Sequence, residues 1–395
     1  MTSFRILVTH PGRQHSHQLA QALYENDHLR GYWTGVPAAD PETKGEIYRL
    51  IAHWSPQPTT RIPASHVRHN YIAPVVRRIA HRMPDPSARI DFTHRAEGWF
   101  DAWAAQQLPK GLNAVVCYES GALRTFESAK SRGVTTILDA ASFHYAWQDQ
   151  FYNPVESEDV HARINQRKDR EIALTDHMLT VSELARQSYI EAGVPPERVT
   201  SVPMGASLDA FQPVIERPTE APFTFIFAGH AGERKGIDVL LDASEQLHRQ
   251  AVPHRIQVAG GCDADVKGRL EQAPTVEQMG YLGRDALASA FQRADCLVLP
   301  SRHDSFGRVV VEAMATGTPV LLSENVGAKE VVAENENGWV VRAEDAEALA
   351  RQMRWCIEHR DHVGAMREQA AATAQQYSWD AYRTRVVRVI EQILN

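Results

Sequence analysis

Short β-branched and apolar runs recur along the chain between longer stretches in which apolar positions return every three or four residues. The runs are FRILV (4–8), AVVCY (114–118), VTTIL (134–138), MLTV (178–181), FTFIF (223–227), RIQVA (255–259), CLVLP (296–300) and PVLL (319–322). Runs of this length between polar segments read as buried strands, and strands alternating with amphipathic helices predict an α/β protein with parallel sheets. In the helix expected over Ile237–Gln250, Leu240, Leu241 and Leu247 share one side. A second helix, Asp285–Arg293, opens on an aspartate suited to capping it.

The length, 395 residues with 43% hydrophobic content, suffices for two such domains, each with its own sheet. The segment FQPVIERPTEAP (211–222) carries three prolines just before a new strand and marks the break. The expected division is therefore 1–212, 213–376, and a terminal segment 377–395. Two parallel sheets whose carboxyl ends face each other enclose a cleft, the usual ligand position in α/β folds.

Charge and composition narrow the partners. A net charge of −7 offers no global attraction to nucleic acid. Cys117, Cys262, Cys296 and Cys356 lie far apart without metal-ligand spacing and read as reduced packing thiols. The opening MTSFRILVTHPG has one short apolar run that breaks at Pro11 and Gly12, a first strand rather than a signal core. No run approaches the roughly 18 to 20 apolar residues of a membrane span. A cytoplasmic protein is expected, attached at most to the inner face of a membrane.

The chemistry concentrates in PSRHDSFGRVVVEAMATGTPV (300–320). A strand ends at Pro300, a loop carries Asp304, Gly307 permits close backbone approach, and a helix runs to Gly317. The free amides at that helix start form an anion site, and an ionised Glu312 can accept both hydroxyls of a vicinal diol such as ribose. The structural alternative makes Asp304 a helix cap and Glu312 a surface ion-pair partner.

This segment resembles the seven-residue-spaced acidic signature of retaining glycosyltransferases of family 4, which have the GT-B fold of two facing Rossmann-like domains. GHAGERKGIDVLL (229–241) is similar to the family's strand–glycine and Lys-Gly element, which implies that Gly229, His230, Arg234 and Lys235 meet the donor diphosphate. VEQMGYL (276–282) with AFQRADCLVLPS (290–301) resembles the segment beside the nucleobase, implicating Gly280 and Tyr281. Ser305, Phe306 and Gly307 fall in the donor loop by the same resemblance. LTDHMLTVS (174–182) and EAGVPPERVTSVPMG (191–205) are similar to the end of the first domain. YSW (377–379) and the helix after it resemble the segment that crosses back to that domain. The likeness covers about residues 170 to 395 closely and the rest loosely.

The physical reading runs in the same direction. As a sugar leaves a nucleoside diphosphate, negative charge grows on the β-phosphate, and cations with a helix N-terminus lower that barrier. Two positions depart from the family pattern: His230 stands where arginine is usual, and Asp304 where glutamate is usual.

In the first half, THPGRQHSH (9–17) leads from strand to helix without the GxGxxG of a dinucleotide site. Gly12, His15 and His17 become candidates for cleft contacts, with Ser16 as an alternative helix cap. DAASFHY (139–145) follows another strand, and its His144 resembles the family's cleft histidine; Glu119 lies similarly after AVVCY. Residues 61–82 hold five arginines and no acid, and Ile72, Val75, Val76, Ile79 and Met83 keep helical spacing opposite Arg77, Arg78 and Arg82. This amphipathic helix either lies on an anionic membrane or packs its apolar side on the domain; the latter is favoured, because a domain helix needs an apolar stripe. Asp263 and Asp265 lie in a loop and no metal is assigned.

These readings lead to a glycosyltransferase moving a sugar from a nucleotide diphosphate sugar to a glycan or lipid-linked acceptor, with no metal or other cofactor. The alternatives are a nucleotide-sugar epimerase or a non-catalytic sugar-nucleotide-binding protein of the same fold.

Overall fold

Two all-parallel sheets carry the structure, a computed structural model that describes residues 3–36, 61–70, 72–80, 82–151, 154–215 and 222–395. The first sheet contains β1 (Ile6–His10), β2 (Leu29–Thr34), β3 (Val67–His69), β4 (Ala114–Tyr118), β5 (Thr135–Ala140), β6 (His177–Thr180) and β7 (Val199–Ser201), in the order β3-β2-β1-β4-β5-β6-β7. The second contains β8 (Phe223–Ala228), β9 (His254–Ala259), β10 (Val276–Gly280), β11 (Cys296–Leu299), β12 (Val320–Ser323) and β13 (Gly338–Val341), in the order β10-β9-β8-β11-β12-β13. In each, the strand order reverses beside the first strand, between β1 and β4 and between β8 and β11. A crevice opens at the carboxyl ends there because the helices on either side leave in opposite directions.

The core follows from the sequence runs. Strands β1, β4, β11 and β12 are buried at every position, so both faces of each strand must be covered by helices. The helix Ile237–Arg249 buries Leu240, Leu241 and Leu247. The terminal helix Trp379–Leu394 inserts Tyr382, Val386, Val387 and Ile390 among Phe4, Ile6 and Leu23 of the first domain. His28 secures it, its Nδ1 accepting the Phe4 N–H at 3.2 Å and its Nε2 meeting Glu391 at 3.0 Å.

The domains touch directly. Ser182 Oγ donates to the Ser305 carbonyl at 2.7 Å, and the Glu183 N–H donates to Glu330 at 2.7 Å. Phe211 packs on Phe291, with centroids 6.1 Å apart. Residues 216–221 of the proline-rich connection lie outside the described residues.

Several local expectations need correction. The helix read as opening on Asp285 begins at Arg284 with Gly283 as its N-cap, and no side chain caps it. Ser16 does not cap its helix either: His15 holds the N-cap position, and Ser16 Oγ donates to the Arg13 carbonyl at 2.5 Å. The basic helix, Ile72–Ala80, does not bury its large apolar stripe. Ala73 and Ala80 face the core, whereas Ile72, Val75 and Ile79 are 57, 38 and 53% exposed. Arg77 turns inward to Glu97 at 2.6 Å, so the ion pair takes the inner face and displaces the β-branched side chains outward. Tyr71 and His81 lie outside the described residues.

Candidate active site

At the end of β8 the chain must turn sharply under the neighbouring strand. Gly229 takes φ +132, and Gly236 takes φ +66 where a Cβ would lie 2.0 Å from the Pro300 carbonyl oxygen. Only glycine fits there. The short turn Glu233–Lys235 between them presents Arg234 and Lys235 toward the loop that follows β11.

That loop is fixed from both ends. The Asp304 N–H donates to Asn325 O at 3.0 Å, and the Gly327 N–H donates to Asp304 O at 2.8 Å. Lys235 Nζ is ion-paired with Asp304 Oδ2, both side chains being 13% exposed. Gly307, at φ +86, is the N-cap of the helix Arg308–Ala315, whose first turn carries no acid. The cap position excludes Asp304 from capping this helix. Arg234 Nη1 donates to the His303 carbonyl at 3.3 Å. Burial, then Arg234, push His303 down to about 4, so this imidazole is neutral.

Glu312 sits five residues beyond Gly307, a rise of about 7 Å along the helix. Burial raises its carboxyl above the ordinary glutamate value, while Arg308 and Arg284 pull it back. A cavity of about 850 Å³ joins these groups: Gly229, His230, Lys235, Tyr281, Asp304, Ser305, Phe306, Gly307 and Glu312 all line it. It can receive an anion at the Lys235 and Gly307 end and hydroxyl groups at the Glu312 end.

Other expected residues stand apart, Arg234 among them, which is exposed and off the cavity lining. Gly280, at φ +65, accepts from the Gly260 N–H at 2.8 Å, behind the exposed Tyr281 rather than on the cavity lining. His230 lines the cavity but pairs through Nε2 with Asp263 at 2.7 Å, and both are more than half exposed. His144 is buried and caps the short helix Tyr145–Gln148, its Nδ1 accepting the Ala146 N–H at 3.2 Å. Burial lowers its pKa and keeps it neutral. The sequence reading missed Gly260, Gly261, Leu282, Arg284 and Arg308 on the lining. Gly260 and Gly261 directly follow the strand run RIQVA, a signal that was available.

A second cavity, of about 310 Å³, lies at the carboxyl ends of β1, β4 and β5. It is lined by His10, Arg13, Arg77, Glu97, Glu119 and Asp139 among others, a mainly polar set suited to hydroxyl-bearing groups. Gly12 leaves room for this arrangement, because a Cβ there would lie 2.6 Å from Arg77 Nη1. The Gly12 N–H donates to His10 Nδ1 at 2.7 Å, which fixes that ring's tautomer. Burial and then Arg77 push His10 down to about 3. His15 is buried behind the cavity and meets Asp139 at 3.0 Å. His17, pushed down to about 3 by burial and Arg13, faces Trp379 at 6.3 Å. Glu119 accepts from Ser142 at 2.6 Å and from Tyr189 at 2.9 Å.

Residues 210–376 match the family described as glycosyl transferases, group 1. This group 1 region contains β8 through β13 and the lining residues of the larger cavity from Phe211 to Glu312. Among curated proteins, D-inositol 3-phosphate glycosyltransferase of Corynebacterium urealyticum is 28% identical over 263 residues, 60% of this chain and 62% of that protein. The chain thus spans less than two thirds of that relative's length. Sucrose-phosphate synthase from Thermosynechococcus elongatus superposes with a TM-score of 0.65 at 19% identity, covering 99% of both chains. Anabaena Alr3699/HepE in complex with UDP-glucose superposes with a TM-score of 0.64 at 14% identity, covering 98% of this chain and 99% of that one. The two-domain GT-B fold is shared over nearly the whole chain.

Proposed function

We propose that the protein is a glycosyltransferase that moves a sugar from a nucleotide diphosphate sugar to a glycan or lipid-linked acceptor, with retention, in surface polysaccharide or glycoconjugate synthesis. The observation that carries this reading is the convergence of Lys235, Asp304, Gly307 and Glu312 on one cavity at the reversal point of the second sheet. The group 1 match over that region and the UDP-glucose complex of a protein with the same fold support it.

In this reading the diphosphate takes Lys235 from Asp304, while Arg234 adds charge and the helix start at Gly307 adds backbone donors. Asp304, so released, turns to the hydroxyls of the sugar, and Glu312 accepts the ribose diol. The bond from the anomeric carbon to the β-phosphate oxygen breaks, and the acceptor oxygen bonds to that carbon from the same face. The acceptor's proton passes to the departing phosphate, which is the base at hand on that face. Neutral His10 and the carboxylates of the smaller cavity orient the acceptor's hydroxyls.

The deciding experiment is thermal stabilisation against UDP, GDP, ADP and their sugar conjugates. A ligand that binds only the folded state raises the midpoint, by about 2.7 kcal/mol of stability at a hundredfold excess over Kd. A selective rise with one base, followed by sugar transfer, is expected; no rise with any nucleotide rejects the donor site. The pairing of His230 with Asp263 favours a second reading, a sugar-nucleotide-binding protein without turnover, because it ties that ring to a carboxylate instead of leaving it for the phosphate end. That reading predicts the same stabilisation with no transfer, whereas an epimerase would release an altered nucleotide sugar without any acceptor.

The exposed Ile72, Val75 and Ile79, beside Arg78 and Arg82, support the reading that the helix Ile72–Ala80 contacts an anionic membrane holding a lipid-linked acceptor. Among the described residues no helix is long and apolar enough to cross a membrane. Co-sedimentation with anionic vesicles at low salt is expected, and a Val75→Asp, Ile79→Asp double variant should lose it. Failure of the wild-type protein to bind such vesicles rejects the contact.

A further inference from the structure

Arg302 lines neither cavity, yet its guanidinium is largely buried and makes four hydrogen bonds. Nη1 donates to the Glu233 carbonyl at 2.5 Å and to Asp238 Oδ1 at 2.8 Å. Nη2 donates to Asp238 Oδ2 at 2.7 Å, and Nε donates to Glu344 at 2.8 Å. Its backbone N–H adds a bond to Arg234 O at 3.0 Å. The side chain is 13% exposed.

These partners bracket one feature. Glu233 begins the turn that carries Arg234 and Lys235, and Asp238 stands in the first turn of the helix that follows. Glycines flank this turn at 232 and 236, and two backbone bonds close it, Lys235 N–H to Gly232 O at 3.0 Å and Gly236 N–H to Glu233 O at 2.9 Å. Such a turn has little side-chain packing to fix its position. A planar fork gripping a carboxylate with two parallel bonds, while a third reaches a carbonyl, sets direction as well as distance. On the cavity side, Lys235 reaches Asp304, two residues beyond Arg302 on the same loop. The turn is thus held from behind by Arg302 and from the front by Asp304. When a diphosphate takes Lys235 from Asp304, the front tie is lost and the rear one remains.

We propose that Arg302 is a positioning residue for donor binding: through Glu233 and Asp238 it holds the 233–236 turn so that Arg234 and Lys235 meet the β-phosphate. The proposal rests on the donor reading above. Asp238 and Glu344 neutralise Arg302 locally, so its influence travels through the turn rather than by long-range attraction.

The test compares affinities for UDP and UMP, and for GDP and GMP, by titration calorimetry. The ratio of monophosphate to diphosphate Kd isolates the grip on the second phosphate. Arg302→Met should lower that ratio by on the order of tenfold or more, leaving monophosphate affinity within about twofold, since small misplacements of a positioned group are costly. Arg302→Lys, which keeps the charge but not the fork, should fall between. Asp238→Asn carries the same measurement if the methionine variant folds poorly. Equal losses for mono- and diphosphate, or an unchanged ratio, overturn the proposal in favour of a purely structural arginine. A wild-type protein without diphosphate preference rejects the donor reading itself, and this inference with it.

Discussion

Lys235→Ala lowers kcat/KM for sugar transfer by on the order of 10²–10³-fold, or about 3 to 4 kcal/mol of transition-state stabilisation. The size follows from where the charge develops. Lys235 Nζ is held at the mouth of the turn beside the helix start at Gly307, in a site sheltered enough to leave it 13% exposed. A cation already in place there loses no energy to reorganisation as the β-phosphate acquires charge. The substitution also leaves the Asp304 carboxylate without its partner in a largely buried position, which costs stability of its own. Asp304→Asn, alone and added to Lys235→Ala, separates the two effects, because the single variant gives the cost of losing the sugar contact by itself. The double variant should recover much of the melting temperature lost by Lys235→Ala and none of the transfer activity. If transfer returned together with stability, the lysine would be a structural counter-ion for Asp304 and would have no part in stabilising the leaving group. Single-turnover rates with saturating donor, read beside thermal melts of all three variants, make the comparison.

The parts of this site that lie close together in sequence were legible, and those assembled from distant segments were not. The turn at 229–236 and the loop at 300–312 are each contiguous, and their residue types carry their chemistry on short spacings. The smaller cavity draws His10, Arg77, Glu97, Glu119 and Asp139 from separate elements, so no window of sequence contains it. Arg302 is adjacent to the motif, but its partners Glu233, Asp238 and Glu344 are remote, and nothing local distinguishes it from a solvated arginine. Among strands, fully buried β1, β4 and β11 announced themselves as apolar runs. Strand β10, VEQMG, lies at a sheet edge with no fully buried position and has no such run. The helix Ile72–Ala80 misled for a physical reason. Periodicity identifies an apolar stripe without revealing which face meets the core, and there the Arg77–Glu97 pair holds the inner side.

Donor affinity should rise with pH through the titration of Glu312, and Glu312→Gln should abolish that dependence. Burial holds the Glu312 pKa above its ordinary value in the free protein, with Arg308 and Arg284 only partly compensating. The sign follows from the raised value. Glu312's contribution to stability is full below its unfolded pKa and is lost as pH rises through the folded one, because ionising it in place costs desolvation. A ribose diol donates two hydrogen bonds to the ionised carboxylate and so supplies the stabilisation that burial removed. Binding then lowers the Glu312 pKa and releases a proton whenever the free protein held one. Below the free-protein pKa, log affinity should climb by up to about one unit per pH unit, and above it the curve should flatten. A nucleotide sugar is the ligand of choice, since its phosphates are both esterified and do not titrate in this range, whereas the terminal phosphate of a free diphosphate does. Calorimetry in buffers of different ionisation enthalpy counts the released protons directly. On the plateau, Glu312→Gln should bind about 10- to 150-fold more weakly, the range expected for a hydrogen bond to a charged group worth about 1.5 to 3 kcal/mol. An affinity that stays flat with pH in the wild-type protein, with no proton released, would place the ribose elsewhere in the cavity and leave Glu312 to support the helix that carries it.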